Sequence, residues 1–386
     1  MRFRRRSALA LALVGVLAGG VVAGCGDDSD DSGAAGTDTA TTAQTSDGGG
    51  VAEAQELVAA AEKTTGLEFP QPDEPFDPGA GKLAVISCGQ AGINCKRGAD
   101  FVVEAAKTMG WTTSPVFDGE FAPATQSGFI QQAVQEGYDA IVLVAVDAQV
   151  TKAAIDAAAA QDIPIACMEC VSTGFEDKVI DVTTGGEQEG DQLGAWVVAD
   201  TEGEGKILQF DDKNFPIIGV RQQAAKAEIE RLCPDCEISE DNYPTTDLAK
   251  PDQPTYTAAL TSNPPGSLTT IMTPSDPEGM PLVKLATQQG RDDFSVTGYD
   301  ASAEFVQDII AGDTVAAATT AVPYEFVAWG AVDQVARAKA GIEGWDSSAV
   351  PSVLVTANNA DEFESGFWNP SDFDYKAMFE EQWSGS

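Results

Sequence analysis

Short apolar runs alternate with amphipathic segments along the chain from Lys82 onward. The run 140–146 is apolar at every position, which is typical of a parallel strand covered on both faces. Between such runs, Phe101, Ala105 and Met109 recur at the spacing of one helix face. The pattern predicts strands at 82–87, 114–117, 140–146, 164–168, 179–182, 207–210, 237–240, 268–272, 295–299 and 315–320. It predicts helices at 51–63, 95–109, 126–135, 150–161, 190–200, 221–232, 281–289, 304–311 and 325–340.

These elements form two successive strand–helix series, and each opens with glycine, lysine and a strand, at Gly81 and at Gly205. Strands that alternate with helices favour parallel sheets covered by helices. We therefore predict an α/β fold of two Rossmann-like parallel-sheet lobes. Open parallel sheets bind ligands at the carboxyl ends of their strands, so the residues after each strand are the candidates for a site between the lobes.

The N-terminus has the pattern of an export signal. Arginines at positions 2, 4, 5 and 6 precede the apolar stretch 8–23, which is short for a membrane span. The following Val22-Ala23-Gly24-Cys25 looks like a bacterial lipobox, whose cysteine carries the lipid. We predict a lipoprotein signal peptide at 1–24, a flexible tether at 25–50 and an extracytoplasmic protein anchored to the cell membrane. An ordinary signal peptide with an incidental cysteine is the alternative.

The chain is strongly acidic and lacks histidine. It has 22 lysines and arginines against 61 aspartates and glutamates, and loss of residues 1–24 with their four arginines changes the net charge from −39 to −43. Such a surface repels nucleic acid and favours a neutral or cationic ligand. Without histidine, the commonest general base and metal ligand is missing, so we predict a binding protein with no catalytic residue, metal or cofactor. A hydrolase with paired carboxylates is the enzymatic alternative, but no acid pair has the expected spacing.

Six cysteines besides Cys25 come as three local pairs. An exported protein can form disulfides, but six cysteines permit 15 connectivities and the sequence does not choose among them. A zinc site at the two Cys-x-x-Cys pairs and a redox-active pair at 233–236 are the alternatives. The favoured pairs are Cys88–Cys95, Cys167–Cys170 and Cys233–Cys236.

Polar residues follow two strands of the first series. Gln90 and Asn94 come after the first strand, where their amides could bind a polar ligand or simply form a loop braced by the nearby cysteines. Glu169 follows the strand 164–168, and a carboxylate at this place is a good acceptor for sugar hydroxyls or an amine. We favour ligand contact for Glu169.

The second series offers four further candidates. Phe215 is an apolar residue in a polar loop, so we expect it to stack on a ligand. Arg221 is expected to open a helix, where a cation gains nothing from the dipole, so a specific partner is expected, either ligand or carboxylate. Ser275 follows a strand, and Asp300 follows another, as a helix cap or as a ligand contact. Ligand contact is the favoured interpretation for Asp300.

Four stretches, in this order along the chain, carry a resemblance to a known family. They are 138–143 with Asp147, 205–207 followed by Arg221, 273–276, and 296–300 with 323–325. Together they resemble the type 1 periplasmic binding proteins, in particular the ribose- and galactose-binding branch of ABC importers. The resemblance implies two lobes joined by a three-segment hinge, with crossings near 181–185, 321–323 and 356. It implies ligand contacts from Glu169, Asp300, Ser275, Arg221 and the loop at Gln90.

The resemblance also implies a domain organisation and a function. After an N-terminal helix and linker at 51–81, the N-terminal lobe comprises 82–183 and 322–355, and the C-terminal lobe with its tail comprises 184–321 and 356–386. The expected protein is a monomer that closes on a small polar solute, a sugar or polyol, and delivers it to an ABC transporter permease. A ligand-sensing co-receptor of the same fold and a binder of a non-sugar solute, such as an aromatic or amine compound, are the alternatives.

Overall fold

The computed structural model describes residues 49–385. The predicted signal peptide, the lipidation site Cys25 and nearly all of the tether lie outside these residues, so they stay predictions. None of the helices between residues 49 and 385 combines the length and the apolar character needed to cross a membrane.

Strands and helices alternate through most of the described chain. The strands are β1 (Lys82–Ser87), β2 (Thr112–Thr113), β3 (Phe117–Asp118), β4 (Ala140–Val144), β5 (Ile165–Met168), β6 (Val179–Val182), β7 (Lys206–Asp211), β8 (Glu237–Asn242), β9 (Thr270–Met272), β10 (Ser295–Thr297), β11 (Ala316–Ala321) and β12 (Val353–Thr356). The helices are α1 (Gly49–Ala61), α2 (Ile93–Met109), α3 (Pro123–Gln135), α4 (Ala148–Ala159), α5 (Glu187–Asp200), α6 (Pro216–Leu232), α7 (Pro254–Ser262), α8 (Asp276–Gln289), α9 (Ala303–Ala311), α10 (Tyr324–Ala340) and α11 (Tyr375–Gln382).

The strands form two sheets, each the centre of one lobe. The sheet of the first lobe has the order β2-β1-β4-β5-β6, with β3 also on β1, and every pairing is parallel. The sheet of the second lobe has the order β12-β11-β10-β9-β7-β8 and is parallel except for the pair β11–β12. All five residues of β4 are buried, as expected for a strand covered on both faces. The predicted α/β fold with two parallel-sheet lobes is confirmed.

Between β1 and β12 the chain crosses from one lobe to the other three times. The first crossing lies between β6 and α5, and the second between β11 and α10. The third comes earlier than expected: Ser347 still donates to the Asp181 carbonyl of the first lobe at 2.8 Å, whereas Ser352 donates to Gln192 of the second lobe at 3.2 Å. Because β12 pairs with β11, residues 353–355 join the second sheet. We therefore propose lobe limits in which the last crossing precedes Val353.

The terminal helices pack on different lobes. Helix α1 lies against α5 and α6 of the second lobe, whereas α11 lies against α10 of the first. The sequence-based limits place the tail, 361–386, with the second lobe. Its aromatic residues instead cover α10, where the Trp383 ring stacks on Trp329 with centroids 5.4 Å apart. Burial of these large rings explains the placement of α11.

Prolines explain several differences between predicted and observed elements. The predicted strand 114–117 is two short strands, β2 and β3, with Pro115 between them, because proline has no N–H for a sheet ladder. Helix α6 begins at Pro216, five residues before its predicted start, since proline suits the first helical position. Arg221 therefore does not open this helix. Helices α7 and α11 and strand β12 were not predicted.

Candidate functional site

A cleft lies between the lobes at the carboxyl ends of their strands. Its volume is about 680 Å³ including its opening to solvent. Both lobes contribute to the lining, which combines apolar side chains with a few polar groups. The polar groups are Asn94, Glu169, Arg221, Thr245, Ser275, Glu278, Asp300 and the hydroxyl of Tyr324.

Four non-glycine residues that line the cleft have left-handed backbone conformations. The φ angles are 49° at Ala145, 53° at Glu169, 52° at Phe121 and 91° at Asp300. Residues with side chains avoid this region, and such strain persists only where the surrounding structure holds it. Ala145, Glu169 and Asp300 lie one to three residues after the ends of β4, β5 and β10. The strand ends are therefore shaped to turn these residues into the cleft.

Arg221 holds three carboxylates together at the floor of the cleft. Its Nη2 lies 3.3 Å from Glu169 Oε2, 3.0 Å from Glu189 Oε2 and 3.0 Å from Asp300 Oδ1. All four side chains are buried. Glu169 belongs to the first lobe, whereas Arg221, Glu189 and Asp300 belong to the second. The hydrogen bond from Arg221 to Glu169 therefore joins the two lobes.

This group contains three carboxyl groups but one guanidinium, and the excess of acidic groups shifts their pKa values. Burial raises the pKa of Glu169 to about 8, opposed by Arg221 and reinforced by Glu189 and Asp300. Burial also raises the pKa of Glu189, again opposed by Arg221. Although burial lowers the pKa of Arg221, the three carboxylates together hold it well above its ordinary value. Arg221 therefore stays charged, while Glu169 takes up a proton near neutral pH.

A second acidic group lies on the second lobe alone. Glu278, in the first turn of α8, accepts a hydrogen bond from the Ser275 hydroxyl at 2.9 Å through Oε2. Burial raises the pKa of Glu278 well above its ordinary value, and the neighbouring Asp212 carboxyl raises it further. Asp212 in turn accepts hydrogen bonds from Asn214 at 2.9 Å and from the Thr245 hydroxyl.

Two further contacts join the lobes across the cleft. The Asn94 side-chain amide of the first lobe donates to Asp300 Oδ2 of the second at 2.6 Å. Phe121 and Phe215 meet edge to face, with ring centroids 6.2 Å apart. Both rings also line a smaller pocket, which adjoins the cleft through these shared residues.

The structure brings six of the seven predicted ligand-binding residues to this cleft: Asn94, Glu169, Phe215, Arg221, Ser275 and Asp300. Their contact with ligand stays a prediction. Gln90 is the exception, since it is not part of the lining, and its backbone N–H donates to Asp118 at 2.8 Å. The sequence predicts either a ligand or a carboxylate as the partner of Arg221, and the structure places three carboxyl groups around it.

Sequence reasoning missed Glu278, Phe121 and Tyr324 as cleft residues, and it missed Glu189 as a buried partner of Arg221. Glu189 lies in the polar segment that starts α5, which has the composition of a solvent-exposed helix start. Glu278 lies between two prolines in the first turn of α8, where an acidic residue is ordinary. Phe121 follows a strand only two residues long, so no apolar run marked its position.

Disulfides brace two of the loops that form the cleft. The structure pairs Cys88 with Cys95, Cys167 with Cys170 and Cys233 with Cys236, the local pairs that the sequence favours. The first pair closes the loop that leads to Asn94, and the second encloses Glu169. Within the described part of the chain, no group of three or more acidic, cysteine or histidine side chains is placed to hold a metal ion.

Solved structures of similar fold come from bacterial transport systems. A 5-methylthioribose transporter solute-binding protein from Thermotoga lettingae has a TM-score of 0.66 and 17% identity, over 78% of this chain and 98% of that one. An ABC sugar transporter subunit from Rhodobacter sphaeroides has a TM-score of 0.64 and 22% identity, over 72% and 99%. An ABC transporter solute-binding protein from Mycobacterium smegmatis with bound glycerol has a TM-score of 0.64 and 20% identity, over 74% and 97%.

No curated protein sequence matches the chain significantly. A family model described as a periplasmic binding protein domain matches residues 95–343, which is more than half of the chain and includes most of both sheets. The two lobes, the three crossings and the cleft at the strand ends agree with that match. The chain belongs to the periplasmic binding protein family, whose members bind solutes outside the cytoplasm and are not enzymes.

Proposed function

We propose that the chain is the extracytoplasmic solute-binding lipoprotein of an ABC importer, which encloses a sugar or polyol between its lobes. The observation that carries this proposal is the convergence of Asn94, Glu169, Arg221 and Asp300, from both lobes, in one cleft. A solute that bonds to both lobes has more partners in the closed form, so its binding favours closure. The permease would then recognise the closed form.

The composition of the cleft supports a hydroxylated ligand. Carboxylates, a guanidinium and an amide match the donors and acceptors of hydroxyl groups, and aromatic rings match the apolar faces of a sugar. Among proteins of similar fold, the Mycobacterium smegmatis protein was solved with glycerol, and the Thermotoga lettingae protein is named for 5-methylthioribose. Both ligands are hydroxylated.

A ligand screen tests the proposal. We expect one class among sugars, polyols, amino acids, nucleosides and aromatic acids to raise the melting temperature, because a ligand at a hundred times its Kd adds about 2.7 kcal/mol to stability. Asn94→Ala removes a cleft donor, so we expect it to reduce the shift from the best ligand. The exposed Asn358→Ala is the matched control and should keep the full shift. Equal shifts in both variants would exclude Asn94 from the site, and no shift from any class would exclude the proposed function.

The lipid anchor is tested separately from binding. In a bacterial host, the wild-type chain should fractionate with membranes, and Cys25→Ser should release it, since the acylated cysteine supplies the membrane affinity. Wild-type protein found only in the soluble fraction would exclude the anchor without affecting the ligand proposal.

A further inference from the structure

The cleft contains more buried negative charge than its own cation can balance. Arg221 is the only lysine or arginine among the described residues that line the cleft. It already contacts the carboxyl groups of Glu169, Glu189 and Asp300. Glu278 lines the same cleft, and no lysine or arginine within residues 49–385 pairs with it. Lys213 lines the adjoining smaller pocket but is exposed. Buried carboxylates are costly unless they are paired or protonated.

Glu278 has an oxygen that the rest of the described protein does not satisfy. Its side chain is 3% exposed, Oε2 accepts the Ser275 hydroxyl, and no hydrogen-bond donor within residues 49–385 reaches Oε1. The titratable groups around it are Asp212, Asp300, Tyr243 and Tyr256, and none of them is a cation. In the free protein a proton therefore satisfies this carboxyl, which then shares a hydrogen bond with the neighbouring Asp212 carboxyl.

The other cleft side chains favour a ligand with an apolar body. Ile93, Phe121 and Tyr324 of the first lobe lie opposite Phe215 and Pro277 of the second. Aromatic faces attract cations as well as apolar groups. Such a lining suits a compact molecule whose carbon skeleton contacts the rings while its polar groups reach the charged floor.

We propose that the solute enclosed by this cleft is a hydroxylated amine, whose protonated nitrogen binds at Glu278 while its hydroxyls bind Asn94, Arg221 and Asp300. This inference rests on the solute-binding function proposed above. Glu278 holds a proton in the empty cleft, because burial beside Asp212 favours its neutral form. When the ammonium group binds, the carboxyl loses this proton to solvent and the two opposite charges pair. The overall step exchanges one bound proton for one ligand cation.

Matched ligand pairs test the proposal. D-glucosamine is compared with D-glucose, D-galactosamine with D-galactose, D-glucamine with D-sorbitol and serinol with glycerol, by thermal shift on the mature protein. We expect the amine of at least one pair to bind about tenfold or more tightly than its neutral partner. Calorimetry of that amine in phosphate and in Tris, which differ in ionisation enthalpy, should show net proton release.

The outcomes separate the ligand class from the broader function. Shifts confined to the neutral members, or equal affinity within every pair, would overturn the amine while leaving a sugar- or polyol-binding protein. Amine binding without proton release would overturn the assignment to a protonated carboxyl. No shift from any member would contradict both this inference and the sugar or polyol proposal.

A substitution of Glu278 tests whether the preference for the amine depends on this residue. Glu278→Gln keeps the shape of the side chain and the bond to Ser275 but cannot become negatively charged when the amine binds, so the free protein should fold at least as stably as the wild type. We expect it to weaken the amine about 30-fold or more and to change the neutral partner by less than about threefold. Glu230→Gln, at an exposed glutamate of the same lobe, is the control and should change neither. Equal weakening of amine and neutral ligand by Glu278→Gln would overturn the proposed contact.

Discussion

Glu169 shows how one residue can be fixed in an unfavourable conformation for the sake of its side chain. It lies between Cys167 and Cys170 just after β5, with a φ of 53°. Its backbone N–H donates to the Val182 carbonyl at 3.2 Å, and its carboxyl group accepts a hydrogen bond from Arg221 across the cleft at 3.3 Å. The disulfide closes a very short loop around it. We infer that this loop holds the carboxylate towards the second lobe.

Two cysteine pairs of equal spacing test this role at the residue scale. Cys167→Ser with Cys170→Ser and Cys233→Ser with Cys236→Ser each remove one disulfide of three-residue separation, so each should cost about 2 kcal/mol of stability. Only the first double variant should also weaken ligand binding, by about tenfold, because only it frees Glu169. Urea unfolding and calorimetric titration measure the two effects. Equal ligand affinity in both double variants would contradict the role of the loop.

At the scale of elements, α10 is the most deeply buried helix, and its contacts connect distant parts of the chain. Asp333, fully buried in this helix, accepts hydrogen bonds from Arg337 Nε at 2.7 Å, from Trp345 Nε1 at 2.7 Å and from Trp383 Nε1 at 2.8 Å. Trp383 follows α11, so this carboxylate is one of the contacts that attach the C-terminal tail to the first lobe.

Removal of this carboxylate should destabilise the whole first lobe. We expect Asp333→Ala to cost about 3–5 kcal/mol, because it leaves the buried Arg337 unpaired and two indole N–H groups unsatisfied. Asp100→Ala is the matched control: it also breaks a helical ion pair at i, i+4 spacing, with Lys96, but on the surface, where about 1 kcal/mol or less is expected. Thermal unfolding of both variants measures the difference, and similar costs would show that Asp333 is not a structural centre.

A comparison of predicted and observed elements shows which features the sequence reveals. β1 was predicted with its observed bounds, because an apolar run after Gly81 has few other interpretations. β12 was missed because four residues behind Pro351 give too short a run, and its pairing with β11 and its contacts with α5 join residues far apart in the sequence. The strand-end rule found Glu169 and Asp300. It could not find Glu278, since the charge of a helical first turn does not reveal that the lobes close over it.

At the scale of the whole molecule, closure of the cleft concentrates acidic groups where water is scarce. Burial raises the pKa of four carboxyls in and around the cleft, Glu169, Glu189, Asp276 and Glu278. Some of the carboxyl groups counted in the formal net charge of −39 are therefore protonated and uncharged in the folded protein. This arrangement makes the folded state bind more protons than the unfolded state above the ordinary carboxyl range.

Stability should therefore fall as pH rises from about 4.5 to about 8. In this window the unfolded carboxyls have lost their protons, given ordinary values of about 4, whereas Glu169 keeps its proton until about pH 8. Urea midpoints at intervals between pH 5 and pH 9 measure the trend. Glu169→Gln should flatten the upper part of the curve, and the exposed Glu136→Gln should leave it unchanged. A wild-type midpoint that rises through this window would contradict the buried protonated carboxyls.

The disulfide around Glu169 has a practical consequence for where the protein can work. A chain kept in a reducing cytosol would lack the bridge between Cys167 and Cys170, and with it the constraint on the carboxylate that reaches the second lobe. The reduced chain would then bind its ligand about tenfold more weakly before export than the oxidised chain does after it. Recombinant preparations should accordingly be made by secretion or oxidative refolding before any ligand is sought.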